Sequence, residues 1–177
     1  MQIKVHSRNF DPKVKMSLFA MTEFAMSKLI PSTRLRNNIT VNIHMKHHAE
    51  DGEAMLSDFT NPNKPREFEI IIDHHRAKVD DFNRTLTNTE WAYSILKLLA
   101  HELVHVKQYV MGELKPTANG FVYKKTMYSP ENRDEYYDQP FEIEAYGRER
   151  GLLNSFLLRW KEIEKEMDID YHLEEKY

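Results

Sequence analysis

The spacing of apolar residues changes period several times along this chain, and each change marks an element. Residues 2–6 alternate in the manner of a short strand. Pro12 opens a segment to Ile30 in which Val14, Leu18, Met21, Ala25 and Leu29 recur at helical spacing, and Pro31 ends it. Ile39, Val41, Ile43 and Met45 then alternate with polar residues, which is the period of a half-buried strand. Two extended runs follow, Ala54–Phe59 and Glu67–Asp73, separated by the turn-rich NPNKP. Ile70, Ile71 and Ile72 in a row assign the second run to a central strand covered on both faces.

Thr87 with Glu90 three residues later forms a capping-box pattern, and Gly112 followed by Pro116 forms a stop, so a helix is predicted over about 89–111. Residues 113–139 show no convincing periodicity, although they carry Phe121, Tyr123, Tyr128, Tyr136 and Tyr137. They are expected as one long loop, functional or poorly ordered. Pro140 starts a last helix with Ile143, Tyr146, Leu153, Leu157, Trp160 and Met167 expected on its inner face. The charged stretch from Lys161 onward is expected as a solvated helix end.

Composition narrows the class. With 177 residues, 41% of them hydrophobic, one domain over 1–177 is expected; no repeat, low-complexity tract or linker divides it. The chain has no cysteine, so thiolate metal sites and cysteine nucleophiles are excluded and any metal must be held by His, Asp or Glu. The opening MQIKVHSRNF has no apolar core of signal-peptide type. The segment from Val14 to Ile30 is interrupted by Lys15, Glu23 and Lys28, so an intracellular chain without a membrane span is expected. A net charge of -3 with scattered Lys and Arg argues against a nucleic-acid partner.

The helix over 89–111 carries the chemistry. Ala92, Leu96, Leu99, Leu103, Val106 and Val110 form one apolar stripe, and His101 and His105 point almost the opposite way. Their side of the helix also holds Trp91, Ile95, Leu98 and Tyr109, so the helix is apolar nearly all round and is expected to be buried. Polar groups on such a helix need partners, because an unpaired buried one costs roughly 1–3 kcal/mol. Residues four apart lie about 40° apart in angle and about 6 Å in height, so His101 and His105 can each place a nitrogen on one ion, and zinc accepts such a pair. Glu102, turned about 100° from His101, is badly placed for that shell but can reach a water on the metal and move its proton. The competing reading is two satisfied core histidines and a surface glutamate; a shuffled chain of this composition would show the H-E-x-x-H pattern with a chance of roughly 5%.

A catalytic zinc takes three protein ligands and one open position. A histidine one motif further on is ruled out, since Gln108 and Met111 occupy the required places and the only later histidine is His172. The stretch QPFEIEAYGRE offers Glu142 and Glu144. Glu142 lies on the flank of Ala145, Tyr146, Glu149 and Phe156 at the border of the buried face, whereas Glu144 sits beside Gly147, Arg148 and Ser155 and can pair with Arg148. Glu142 is therefore the better third ligand and Glu144 the alternative, though a glutamate in a first helical turn also serves backbone donors and the dipole.

His101-Glu102-Leu103-Val104-His105 with Glu142-Ile143-Glu144-Ala145 downstream resembles the gluzincins, zinc metallopeptidases with H-E-x-x-H on one helix and a ligand glutamate on a later one. In size the chain is similar to single-domain minigluzincins and small phage-encoded proteins of this type. The resemblance spans about residues 38–160, and its specific part is the two motifs. It implies an α+β zincin-like domain, with a small mixed sheet over the active-site helix and a C-terminal helix supplying the third ligand. It further implies one Zn2+ per chain on His101, His105 and Glu142, and peptide-bond hydrolysis with Glu102 as general base and acid. A peptide or protein substrate would lie extended along an edge strand, for which Ala54–Phe59 is the candidate. Tyr146 stands where many members carry an Asp or Asn that orients a ligand histidine, so orientation must come from elsewhere or Tyr146 acts on the reacting group. The chain is expected to be monomeric. The alternative from another class is a catalytically inactive, zinc-stabilised interaction or regulatory module, and a single-strand nucleic-acid binder using the tyrosine-rich segment comes third.

Two lesser features remain. His44, His47, His48, His74 and His75 gather near strand ends, where solvated histidines are expected rather than a second metal site. The tyrosines of 121–137 include potential oxyanion donors, none singled out by the sequence.

Overall fold

The computed structural model describes residues 1–6, 10–57, 64–80 and 82–174, with side chains up to Trp160 and those of Glu162 and Lys165. β1 (Gln2–His6) leads into helix α1 (Pro12–Leu29), capped by the Asp11 carboxylate on Lys13 N and closed before Pro31. A short helix, α2 (Thr33–Arg36), precedes β2 (Thr40–Met45), β3 (Gly52–Leu56) and β4 (Glu67–Ile72). The long helix α3 (Asn88–Val110) follows, and its Thr87–Glu90 capping box forms as the sequence predicts.

The four strands make one mixed sheet in the order β1-β2-β4-β3. β1, β2 and β4 are parallel, and β3 runs antiparallel to β4 at the edge, with Gly52 opposite Ile72 and Leu56 opposite Phe68. β4 is central, and its three consecutive isoleucines are all buried. β3 begins before the expected Ala54; Phe59, the expected end of that run, lies outside the described residues. Val41, Ile43, Phe68 and Ile70 form the core with Leu18 and Met21 of α1 and Leu99, Leu103 and Val106 of α3. From Leu99 to Val110 every residue of α3 is buried, because α1, the sheet and a final helix, α5 (Pro140–Glu174), all pack against it.

Two expectations are corrected. Residues 113–139 are not one long loop: β5 (Leu114–Thr117), β6 (Gly120–Tyr123) and β7 (Thr126–Tyr128) form an antiparallel meander, followed by α4 (Arg133–Tyr137). The segment is held by packing of Tyr123, Phe121 and Tyr136 around Phe141. The inner face of α5 is the expected one at Leu153, Leu157 and Trp160, which pack on the core, but not in the first two turns. Ile143 and Tyr146 are 58% and 48% exposed, while Phe141, Glu142, Ala145, Glu149, Leu152, Leu153 and Phe156 face inward. The apolar residues alone misplace that face, because two of its positions are glutamates. The side chains of Met167 and of the tail beyond Lys165, including His172, lie outside the described residues. Among the described residues no helix is long and apolar enough to cross a membrane.

Candidate metal centre

His101 and His105 project from the buried half of α3, one turn apart, with ring centroids 4.9 Å from each other. The first turn of α5 brings Glu142 against both. Glu142 Oε2 lies 3.2 Å from His101 Nε2, Oε1 lies 3.2 Å from His105 Nε2, and the two Nε2 atoms are themselves 3.2 Å apart. One donor atom from each of the three residues falls within 4.8 Å of the others. Glu142 is 2% exposed, and its Oε1 has no hydrogen-bond partner of proper geometry, a costly state for a buried carboxylate oxygen.

The far side of each ring explains the near side. His101 Nδ1 lies 2.9 Å from Glu149 Oε2, and His105 Nδ1 lies 2.9 Å from Gln108 Oε1. Both partners accept, so both Nδ1 atoms donate, and the two Nε2 atoms are turned into the space shared with Glu142, where each carries a lone pair when its ring is neutral and a proton donated to Glu142 when it is charged. Two ring nitrogens and a carboxylate this close together need positive charge between them, which a proton on a ring supplies or a metal ion replaces. The three residues therefore fit a metal ion, with the outer hydrogen bonds that fix ligand histidines at such centres.

The electrostatics agree. Burial disfavours a charged His101, yet Glu142 and Glu149 outweigh it and carry its pKa up to about 9. His105 is raised as well, Glu142 overcoming the same burial. Against its own burial, hydrogen bonds from both rings hold the Glu142 carboxyl down at about 2, with the Tyr136 hydroxyl contributing. The pocket thus draws positive charge into its centre.

Glu102 is buried beside this group without joining it. Burial raises its carboxyl above the ordinary range, opposed by the two histidines. It reaches toward the sheet edge, so that a Cβ on Gly52 of β3 would stand 2.7 Å from its Oε1. Glu144, the alternative ligand, is not in the group. It lies beside the group, largely buried against α3, bound by Tyr123, Lys107 and Gln108 and paired with Arg148 at 3.0 Å, as its spacing predicts.

Orientation of His101 comes from Glu149, which also lies 3.6 Å from Lys97 Nζ. Tyr146 instead packs its ring on His101, centroids 4.5 Å apart. Sequence reasoning placed Glu149 on the right flank without giving it a part. Its signal is the seven-residue step from Glu142, two helical turns on one face. Gln108, three residues after His105, is the other residue missed. The strand-end histidines form no metal-binding group among the described residues: His44 pairs with Glu69 and stacks on His6, His47 pairs with Asp73, His48 with Glu53, and His74 and His75 lie against each other with ring centroids 4.0 Å apart. Among the described residues His101, His105 and Glu142 form the one group with metal-binding geometry. Comparison with protein-family models, curated proteins and solved structures finds no match to this chain.

Proposed function

We propose that the chain is a zinc-dependent metallopeptidase, a zincin-like domain of gluzincin type with one zinc per chain on His101, His105 and Glu142. The observation that carries the reading is the convergence of two Nε2 atoms and an orphaned carboxylate oxygen, with a buried glutamate directly beside them. A bound zinc would supply Lewis-acid activation of a carbonyl and of water near neutral pH. Glu102 takes the proton of the attacking water and returns it to the leaving amine, and the upward shift of its carboxyl suits a general base. The Tyr136 hydroxyl, which interacts with Glu142, would serve as a hydrogen-bond donor to the oxygen that gains charge. Among the described residues β3 pairs only with β4, and its other edge would receive an extended peptide as an added antiparallel strand.

One observation favours a second reading, an inactive zinc-stabilised interaction or regulatory module: His101, Glu102, His105 and Glu142 are at most 7% exposed. Metal analysis and cleavage of a mixed peptide pool decide between them. The peptidase reading expects one zinc per chain after dialysis and cleavage abolished by chelator. Glu102→Gln should retain the zinc and lose cleavage by about 10²–10⁴-fold. A folded, metal-free wild type would overturn both readings, and zinc without any cleavage would leave the module.

A further inference from the structure

His101 and His105 are held by chemically different partners. Glu149 is a carboxylate and can only accept, so it fixes the His101 tautomer unaided. Gln108 is an amide with an accepting and a donating end, and turned the other way it would present its NH2 group to His105 and demand a lone pair on Nδ1. The proton would then sit on Nε2, facing Glu142.

What prevents that turn is on the page. Gln108 is fully buried, and its Nε2 lies 2.9 Å from the Phe141 carbonyl oxygen and 3.3 Å from Glu144 Oε2. Both are acceptors, so the NH2 end must face them and the oxygen must face His105. Glu144 is itself held as a pure acceptor. Lys107 Nζ and Arg148 Nε reach its Oε1 at 3.0 Å each, and the Tyr123 hydroxyl donates to its Oε2 at 2.6 Å. The residue that rivalled Glu142 as a ligand therefore bears on the same centre from two bonds away.

We propose that Glu144 is a positioning residue. By accepting from Gln108 it locks the amide and thereby sets the Nδ1–H tautomer of His105, leaving Nε2 free for a metal. The proposal rests on the metal-binding reading for its purpose, but the lock is a property of the chain with or without an ion. It also gives the meander a part in the centre, since Tyr123 of β6 is one of the groups that hold Glu144.

Glu144→Gln is the decisive variant because it keeps the shape. Four donors lie within 3.3 Å of the position 144 carboxylate, with Lys124 Nζ further out at 3.9 Å, and a glutamine there has one oxygen. The cations Lys107 and Arg148 claim it, which turns the new NH2 group toward Gln108 and favours the inverted amide. The histidine tautomers are read from ring 15N shifts in the full chain, metal-free at a pH where both rings are neutral, and zinc affinity from competition with a chelator. Wild type should show His105 as Nδ1–H. Glu144→Gln should show a substantial Nε2–H population and about tenfold weaker zinc binding, the lower end of what outer-shell changes cost, and Glu144→Asp should behave as wild type. His105 as Nε2–H in wild type, or an unchanged tautomer in folded Glu144→Gln, would overturn the proposal. A locked Nδ1–H tautomer in a chain that takes up no zinc would support the lock and sink the metal reading instead.

Discussion

Two regions of this molecule are rich in histidine, and they differ in how the rings are satisfied. At the carboxyl ends of β2 and β4 three rings each find their own carboxylate, His44 with Glu69, His47 with Asp73 and His48 with Glu53, while His74 and His75 lie ring against ring. Asp73, the buried carboxylate there, is already occupied by the backbone N–H groups of His48, His75 and Arg76. On α3 the rings are satisfied only on their outer side, by Glu149 and Gln108, while their inner nitrogens share one carboxylate. Histidine density does not distinguish the two regions. What distinguishes them is whether lone pairs are consumed pairwise or left converging.

The sharpest way to break this contrast is to remove the shared carboxylate. Glu142→Ala should abolish zinc binding in an equilibrium metal titration, a loss well beyond the roughly 10–100-fold of outer-shell changes. His47→Ala and His48→Ala should leave the zinc stoichiometry unchanged, and metal loss in either would erase the distinction. Next in size is Glu149→Gln, which replaces the acceptor on His101 Nδ1 by an amide that can turn. Zinc affinity should fall about 10–100-fold with the fold intact by circular dichroism.

The smallest effect lies at the strand ends and concerns stability. Burial opposes ionisation of Asp73, but the N–H groups of His48, Arg76 and His75 and the His47 side chain outweigh it and hold its pKa at about 2, from an ordinary 3.8. A carboxyl lowered on folding stabilises the fold above its ordinary pKa and loses that contribution as pH falls through the folded value, here roughly from pH 5 to below 2. The shift corresponds to about 2 kcal/mol. Asp73→Asn should lower the unfolding free energy from denaturant titration by about 2 kcal/mol at pH 7 and show a flatter decline in acid, with chelator making no difference.

Legibility followed the source of the stabilising interactions. The capping box of α3, the alternation of β2 and the isoleucine run of β4 are local signals, and each element forms where they place it. His101, His105 and Glu142 were legible for the same reason, being fixed by spacing on two helices. The meander was not. Asn119-Gly120 does mark its first hairpin, but the second turn is made by Lys124 and Lys125, both with positive φ (45° and 74°), where glycine or asparagine would ordinarily announce it. Its strands are three or four residues long and draw their order from packing on Phe141. On α5 the inward phase was obscured because Glu142 and Glu149 take positions that hydrophobic periodicity reserves for apolar residues.

The close approach of β3 to α3 has a consequence for how the chain can vary. At position 52 the volume that a methyl group would fill is taken by the Glu102 carboxylate. The edge strand contributes to the centre through an absence, and its first residue and the glutamate on the helix occupy a single steric allotment. A side chain added at 52 would push either the carboxylate out of register with the two histidines or the strand away from the helix. Position 52 therefore gauges the distance between sheet edge and helix, although its own residue carries no chemistry.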